Sequence, residues 1–184
     1  MNRETAIELL HKYIKNENTR RHCLATEAVM RHLALHFGAD VEMWGIAGLL
    51  HDLDLELVNG DMNKHGLETA RILDESGVDR QIIETIKAHN DQIYGAERKE
   101  LFHHALVAGE TVTGLIVAMA LILPERKLSA VRPESVMKRM KEKGFARSVS
   151  RERIKECEKI GLPLQDFIAL AVRAMQEISA QLGL

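Results

Sequence analysis

The 184-residue chain is most informative first for what it lacks. It has two cysteines, Cys23 and Cys157, far apart and in no C-x-x-C arrangement. That excludes a disulfide framework and a C-x-x-C metal site, and free thiols point to a reducing, cytoplasmic setting. Only three prolines interrupt it, leaving long periodic runs that favour helices over a sheet-rich fold. Aromatic residues make up 4%, so the core must come from Leu, Ile, Val, Ala and Met. Neither sign of charge dominates: the net value of −2 gives no pull toward a long nucleic acid. The longest uncharged run, Thr111 to Leu123, is 13 residues, short of the ~20 that span a bilayer. The N-terminal MNRETAIELL carries Arg3 and Glu4 and no apolar signal segment. No membrane partner is expected.

What is present is ordinary globular material, 46% hydrophobic and 28% charged, in a length suited to one domain. No linker or repeat divides it. The punctuation predicts helices over Arg3–Ile14, Glu17–Phe37 and Val41–Asp52, the second ended by Gly38 and the third capped by Asp40. Further helices are predicted over Lys64–Glu75, from Asp79 to about His89, and over Arg98–Leu123. Pro133, Ser150 and Pro163 open three more. No period-two alternation competes, so the expected fold is an all-α, single-domain bundle of about eight helices. Residues 125–184 are expected to be C-terminal helices packed on the core.

Within this frame the stretch Gly48-Leu-Leu-His-Asp-Leu-Asp54 stands out. It sets an imidazole beside a carboxylate at the end of an apolar helix, where both need compensation. Glu110 is a second anomaly: it is the only charge between Ala105 and Leu123, with small Thr113 and Gly114 one turn on. His22 shares a helix face with apolar Ala25 and Val29. Together His22, His51, Asp52 and Glu110 form a two-imidazole, two-carboxylate set suited to Mn, Fe, Co, Ni, Zn or Mg with positions left open for water and substrate. His65 and His89 fall on inward stripes, although each alone reads as a capping or packing residue. His32 and His36, spaced i,i+4, lie too far along the helix to join His22 and suit a solvated face.

These residues, in this order, resemble the HD superfamily of metal-dependent phosphohydrolases, and most closely its small stand-alone hydrolases. The match is carried by Arg-His22-Cys-Leu-Ala-Thr-Glu, by Leu-Leu-His51-Asp52-Leu-Asp and by Ala-Leu-Val-Ala-Gly-Glu110-Thr-Val-Thr-Gly-Leu-Ile. Lys64-His65-Gly66, Ala88-His89-Asn90 and Lys-Gly-Phe-Ala-Arg over 143–147 add to it. The resemblance implies a divalent ion on His22, His51, Asp52 and a distal acid. The family places Asp where this chain has Glu110, whose extra methylene either still reaches the ion or weakens the site. His65 and His89 stand where relatives carry extra histidines that hold a second metal or face the phosphate. Asn90, where a second histidine sometimes stands, favours one tight metal.

The implied reaction is hydrolysis of a nucleotide or other small phosphoester by a metal-activated water. Asp52 would also orient the water, and Lys64, His65 and His89 would stabilise developing charge. The segment Arg132–Arg147 holds six Lys/Arg against two Asp/Glu, a net +4 in a chain of net −2. Lys143 and Arg147 are its candidate phosphate contacts, with a solvated face as the plainer reading. Two rivals remain: a degraded module that binds a small phosphorylated ligand for regulation, and a helical scaffold. The apolar last helix would support a homodimer.

Overall fold

The computed structural model describes residues 1–95 and 97–184. Among these residues the chain is all helix and turn, with no strand. The long elements are α1 (Arg3–Tyr13), α2 (Glu17–Phe37), α3 (Val41–Leu50), α4 (Leu67–Glu75) and α5 (Arg80–His89). After the single turn α6 (Asp91–Tyr94) come α7 (Leu101–Ile122) and α8 (Pro133–Met140). The region expected to be one helix from Ser150 breaks into two turns, α9 (Arg151–Ile154) and α10 (Glu156–Lys159). The chain ends in α11 (Leu164–Glu177) and the turn α12 (Ser179–Leu182).

The boundaries follow from local chemistry. Asn16 accepts from the amides of Asn18 and Thr19 to start α2, and Gly38, at φ 65°, ends it. Asp40 accepts from Met43 N and caps α3. Asp79, Pro133 and Ser150 open α5, α8 and α9 as their residue types suggest. One start moves. The helix expected from Lys64 begins at Leu67, because Gly66 adopts φ 92° and holds His65 in the turn before it.

The core is organised around α2, which packs along α3, α7 and α11. Residue Gly48 lets α3 approach the α2 backbone. A Cβ there would lie 2.9 Å from the Thr26 carbonyl oxygen and from Met30 Cγ, so α3 meets the α2 backbone where no side chain fits. The 22-residue α7 is long and apolar enough by composition to cross a membrane. In this fold it is a core helix, buried continuously from Phe102 to Gly109 and packed against α2, α5 and the C-terminal helices. Cys23 and Cys157 are both buried and free.

Candidate metal centre

Four elements deliver imidazoles to one point. His22 comes from the second turn of α2, His51 from the C-cap of α3, His65 from the turn before α4 and His89 from the last position of α5. All four surround Asp52. Its Oδ2 lies 3.6 Å from His22 Nε2. Its Oδ1 lies 3.4 Å from His51 Nε2, 3.2 Å from His65 Nε2 and 3.7 Å from His89 Nε2. His51, His65 and His89 are buried, and the Asp52 side chain retains 13% exposure, enough to reach solvent.

The far side of each ring explains the arrangement. His51 Nδ1 donates to the Gly48 carbonyl at 2.8 Å, and His89 Nδ1 donates to the Ile86 carbonyl. Thr113 Oγ1 gives its proton to the Glu110 carbonyl, so it accepts from His22 Nδ1 at 3.0 Å. These partners fix the tautomers and leave three Nε2 lone pairs turned inward. His22 and His51 bring theirs within 3.2 Å of each other. Two bare nitrogens and a carboxylate converging this closely repel unless a cation sits among them. Burial pushes His51 down to about 4, so it cannot supply that cation as a proton at neutral pH.

His65 behaves differently. Its Nδ1 lies 2.8 Å from Asp54 Oδ1 and its Nε2 lies 2.9 Å from His89 Nε2. Burial disfavours its charge, yet the hydrogen bonds to Asp52 and Asp54 raise it to about 9. Asp54 is fully buried and also accepts from the amides of Gly66 at 2.7 Å and Thr69 at 3.0 Å. Burial works against the Asp52 charge too, but the imidazoles around it hold its carboxyl far below the ordinary range. The donor set therefore fits a divalent cation. His22, His51 and Asp52 form one group of potential ligands, and Asp52, His65 and His89 form a second that shares the aspartate.

The other expected site residues divide: Glu110 and Asn90 border the cavity above the centre, whereas Lys64, Lys143 and Arg147 do not. Glu110 stands outside both ligand groups. Its Oε1 accepts from Arg153 Nη2 at 2.8 Å and lies 2.6 Å from Thr111 Oγ1. Asn90 is buried and clamps the His65 turn onto α5, donating to the carbonyls of Met62 at 2.7 Å and His65 at 2.8 Å. Lys64 is exposed and pairs with Asp61. Lys143 and Arg147 are exposed and do not line the cavity above the centre.

That cavity is about 480 Å³ and is bordered by Asp52, His65, His89, Glu110, Ser148 and Arg153. A larger one, about 800 Å³ against Trp44 and Phe102, contains none of the ligands and so does not define the chemistry. Arg153 was not among the expected residues, nor were Asp54 and Thr113. Asp54 stood in view two residues after Asp52. Thr113 shows in the sequence only as a small residue, and Arg153 carries no signal there beyond a position just after the Ser150 cap.

An all-helical fold whose buried heart is a His/Asp cluster, with a histidine ahead of an adjacent His-Asp pair, defines a class of metal-dependent hydrolases. A family model described as HD domain matches residues 19–142, and the chain belongs to that family. The match contains His22, His51, Asp52, His65, His89 and Glu110 and ends before Arg153. No curated protein and no solved structure gives a match.

Proposed function

We propose that this HD domain is a phosphohydrolase acting on a small phosphoester, a nucleotide foremost. The observation that supports it is the convergence of the bare Nε2 atoms of His22, His51 and His89 on the mostly buried Asp52 carboxylate, each ring tied from behind. His22, His51 and Asp52 would hold the divalent ion. When bound, that ion would lower the pKa of water toward neutrality and offset charge on a phosphate.

The chain's own residues supply the rest. Asp52 reaches the cavity with one edge and is placed to accept a proton from an attacking water. His65, charged through Asp52 and Asp54, faces the same space and can offset charge developing on phosphate oxygens, while His89 turns only its Nε2 lone pair inward. A cavity of about 480 Å³ suits a small molecule and not a polymer. Being reached by solvent at Asp52, the centre can exchange water and product.

The test is a screen of nucleotides and generic phosphomonoesters and phosphodiesters with Mn²⁺, Ni²⁺, Co²⁺ or Mg²⁺ added to protein purified without chelator. Metal-dependent release of phosphate or nucleoside, abolished by Asp52→Ala, supports the reading. Turnover that survives Asp52→Ala overturns it. The ion pair on Glu110 favours one second reading, a module that binds a phosphorylated ligand without turnover. Stoichiometric metal and saturable nucleotide binding with no product in the screen would select it.

A further inference from the structure

We propose that Arg153 is a latch that withholds Glu110 from the ion and thereby sets how tightly this centre binds it. The inference rests on the metal-centre reading above. It begins from a conflict of position: Glu110 borders the same cavity as Asp52, His65 and His89, yet stands outside both ligand groups. Its backbone already serves the centre, since its carbonyl accepts from Thr113, which in turn holds His22. Only the side chain is turned aside.

Arg153 is what turns it. The guanidinium is gripped on several sides, donating to Asp91 Oδ2 at 2.7 Å, to the His89 carbonyl at 2.7 Å and to Glu110 Oε1 at 2.8 Å. Its position is therefore set before any ion arrives. The pair is only partly exposed, 24% at Arg153 and 16% at Glu110, so water screens it weakly. Space beside Glu110 is taken as well, because a Cβ at Gly114 would meet Val149 Cγ2 at 3.2 Å. The segment that carries Val149 and Arg153 thus covers this face of α7. Neither Glu110 oxygen joins a ligand group while Oε1 is held by the guanidinium, so the carboxylate must swing off Arg153 to serve a cation there, and that exchange opposes metal binding.

The test is a double-substitution cycle read by calorimetric titration of Mn²⁺ into the chelator-treated 184-residue chain. Arg153→Met should tighten Mn²⁺ binding about tenfold, the scale on which groups behind metal ligands act. In the Glu110→Gln background the same change should leave the Kd within about twofold, because no carboxylate remains to be released. Equal tightening in both backgrounds would mean that Arg153 acts only as a nearby positive charge, and the latch is overturned. No tightening in either overturns it equally. Should none of the four proteins bind Mn²⁺, the metal-centre reading itself falls and takes the latch with it. Far-ultraviolet circular dichroism checks the fold of each variant. If Arg153→Met does not fold, Arg153→Lys replaces it. Lysine keeps the charge but cannot span Asp91, Glu110 and the His89 carbonyl together, so the tightening should be smaller with the same dependence on Glu110.

Discussion

The Nε2 atoms of His22 and His51 face each other across 3.2 Å, and each ring is tied on its far side, to Thr113 and to the Gly48 carbonyl. Neither ring can turn away without giving up a hydrogen bond, buried at His51 and partly buried at His22. The fold therefore holds two lone pairs in opposition beside Asp52, and a cation between them removes a cost that the ion-free chain bears. Ligand linkage sets the scale: Mn²⁺ at about a hundred times its Kd should add about 2.7 kcal/mol. For a chain of this size that is a Tm increase of roughly 5–10 °C over the chelated protein. Differential scanning fluorimetry in excess Mn²⁺ against EDTA reads it directly, and coincident melts would sink the idea.

Thr113 offers a sharper probe, because it touches His22 without lining up among the ligands. Thr113→Val removes the acceptor for His22 Nδ1 while nearly keeping the volume. The ring then loses its fixed tautomer, and Mn²⁺ affinity should fall about tenfold or more. Stability of the chelated protein should drop by about 1–3 kcal/mol, the scale of the two partly buried hydrogen bonds the hydroxyl makes with His22 and the Glu110 carbonyl. Thr113→Ser, which restores the hydroxyl, should recover most of the affinity. Titration calorimetry paired with urea melts separates the two effects.

How much of this was legible in the sequence depends on what carried each feature. Several helix ends were legible because caps act locally: Asp40, Asp79 and Pro133 need only their own neighbours. His51 and Asp52 were legible because two polar groups at the end of an apolar helix are costly wherever that helix packs. The start of α4 was missed, since nothing nearby required Gly66 to take φ 92°. The partners of Glu110 were missed for a different reason. A carboxylate in an apolar helix demands compensation, and the sequence cannot say whether a metal or an arginine 43 positions later provides it. Charge density misled in the same way: the basic run to Arg147 is solvated, whereas Arg153 beyond it reaches the cavity.

Gly48 tests whether the helix contact builds the centre. Its missing side chain lets α3 approach Thr26, and its carbonyl holds His51. Gly48→Ala places a Cβ 2.9 Å from the Thr26 carbonyl oxygen, a backbone atom that cannot swing aside. Overpacking of this kind costs about 1–3 kcal/mol, and the displaced His51 should weaken Mn²⁺ binding as well. Gly144, where a Cβ would meet nothing within 4 Å, is the matched control. Its change to alanine should leave both stability and metal binding unaltered in parallel denaturation and titration experiments.

The exposed basic residues can be separated from the site by kinetics. Lys143 and Arg147 are exposed and border no part of the cavity above Asp52. Replacing both with alanine should therefore leave KM and kcat for whichever phosphoester is turned over within about twofold, as for surface changes away from a packed feature. A tenfold rise in KM would show that the 143–147 segment reaches the substrate.

The pair formed by His65 and Asp54 should write a recognisable pH dependence on the chelated protein. Burial opposes the charge on Asp54, but His65 and the amides of Thr69 and Gly66 hold its carboxyl below the ordinary 3.8. A depressed acid stabilises the fold above its unfolded value and loses that contribution as pH falls through the lower folded one. His65 runs the other way, raised from 6.5 to about 9. Its contribution is complete below about 6.5 and is lost as pH rises through about 9, on the order of 3 kcal/mol in all. Urea denaturation in EDTA should therefore show stability falling between pH 6.5 and 9, where an ordinary histidine contributes nothing further. Asp54→Asn removes one of the two carboxylates that hold the proton, so the alkaline loss should shrink while the protein becomes less stable at pH 6. A wild-type profile that stays flat from pH 6.5 to 9 would show that His65 is neutral, and that its Nε2 stands bare like the other three.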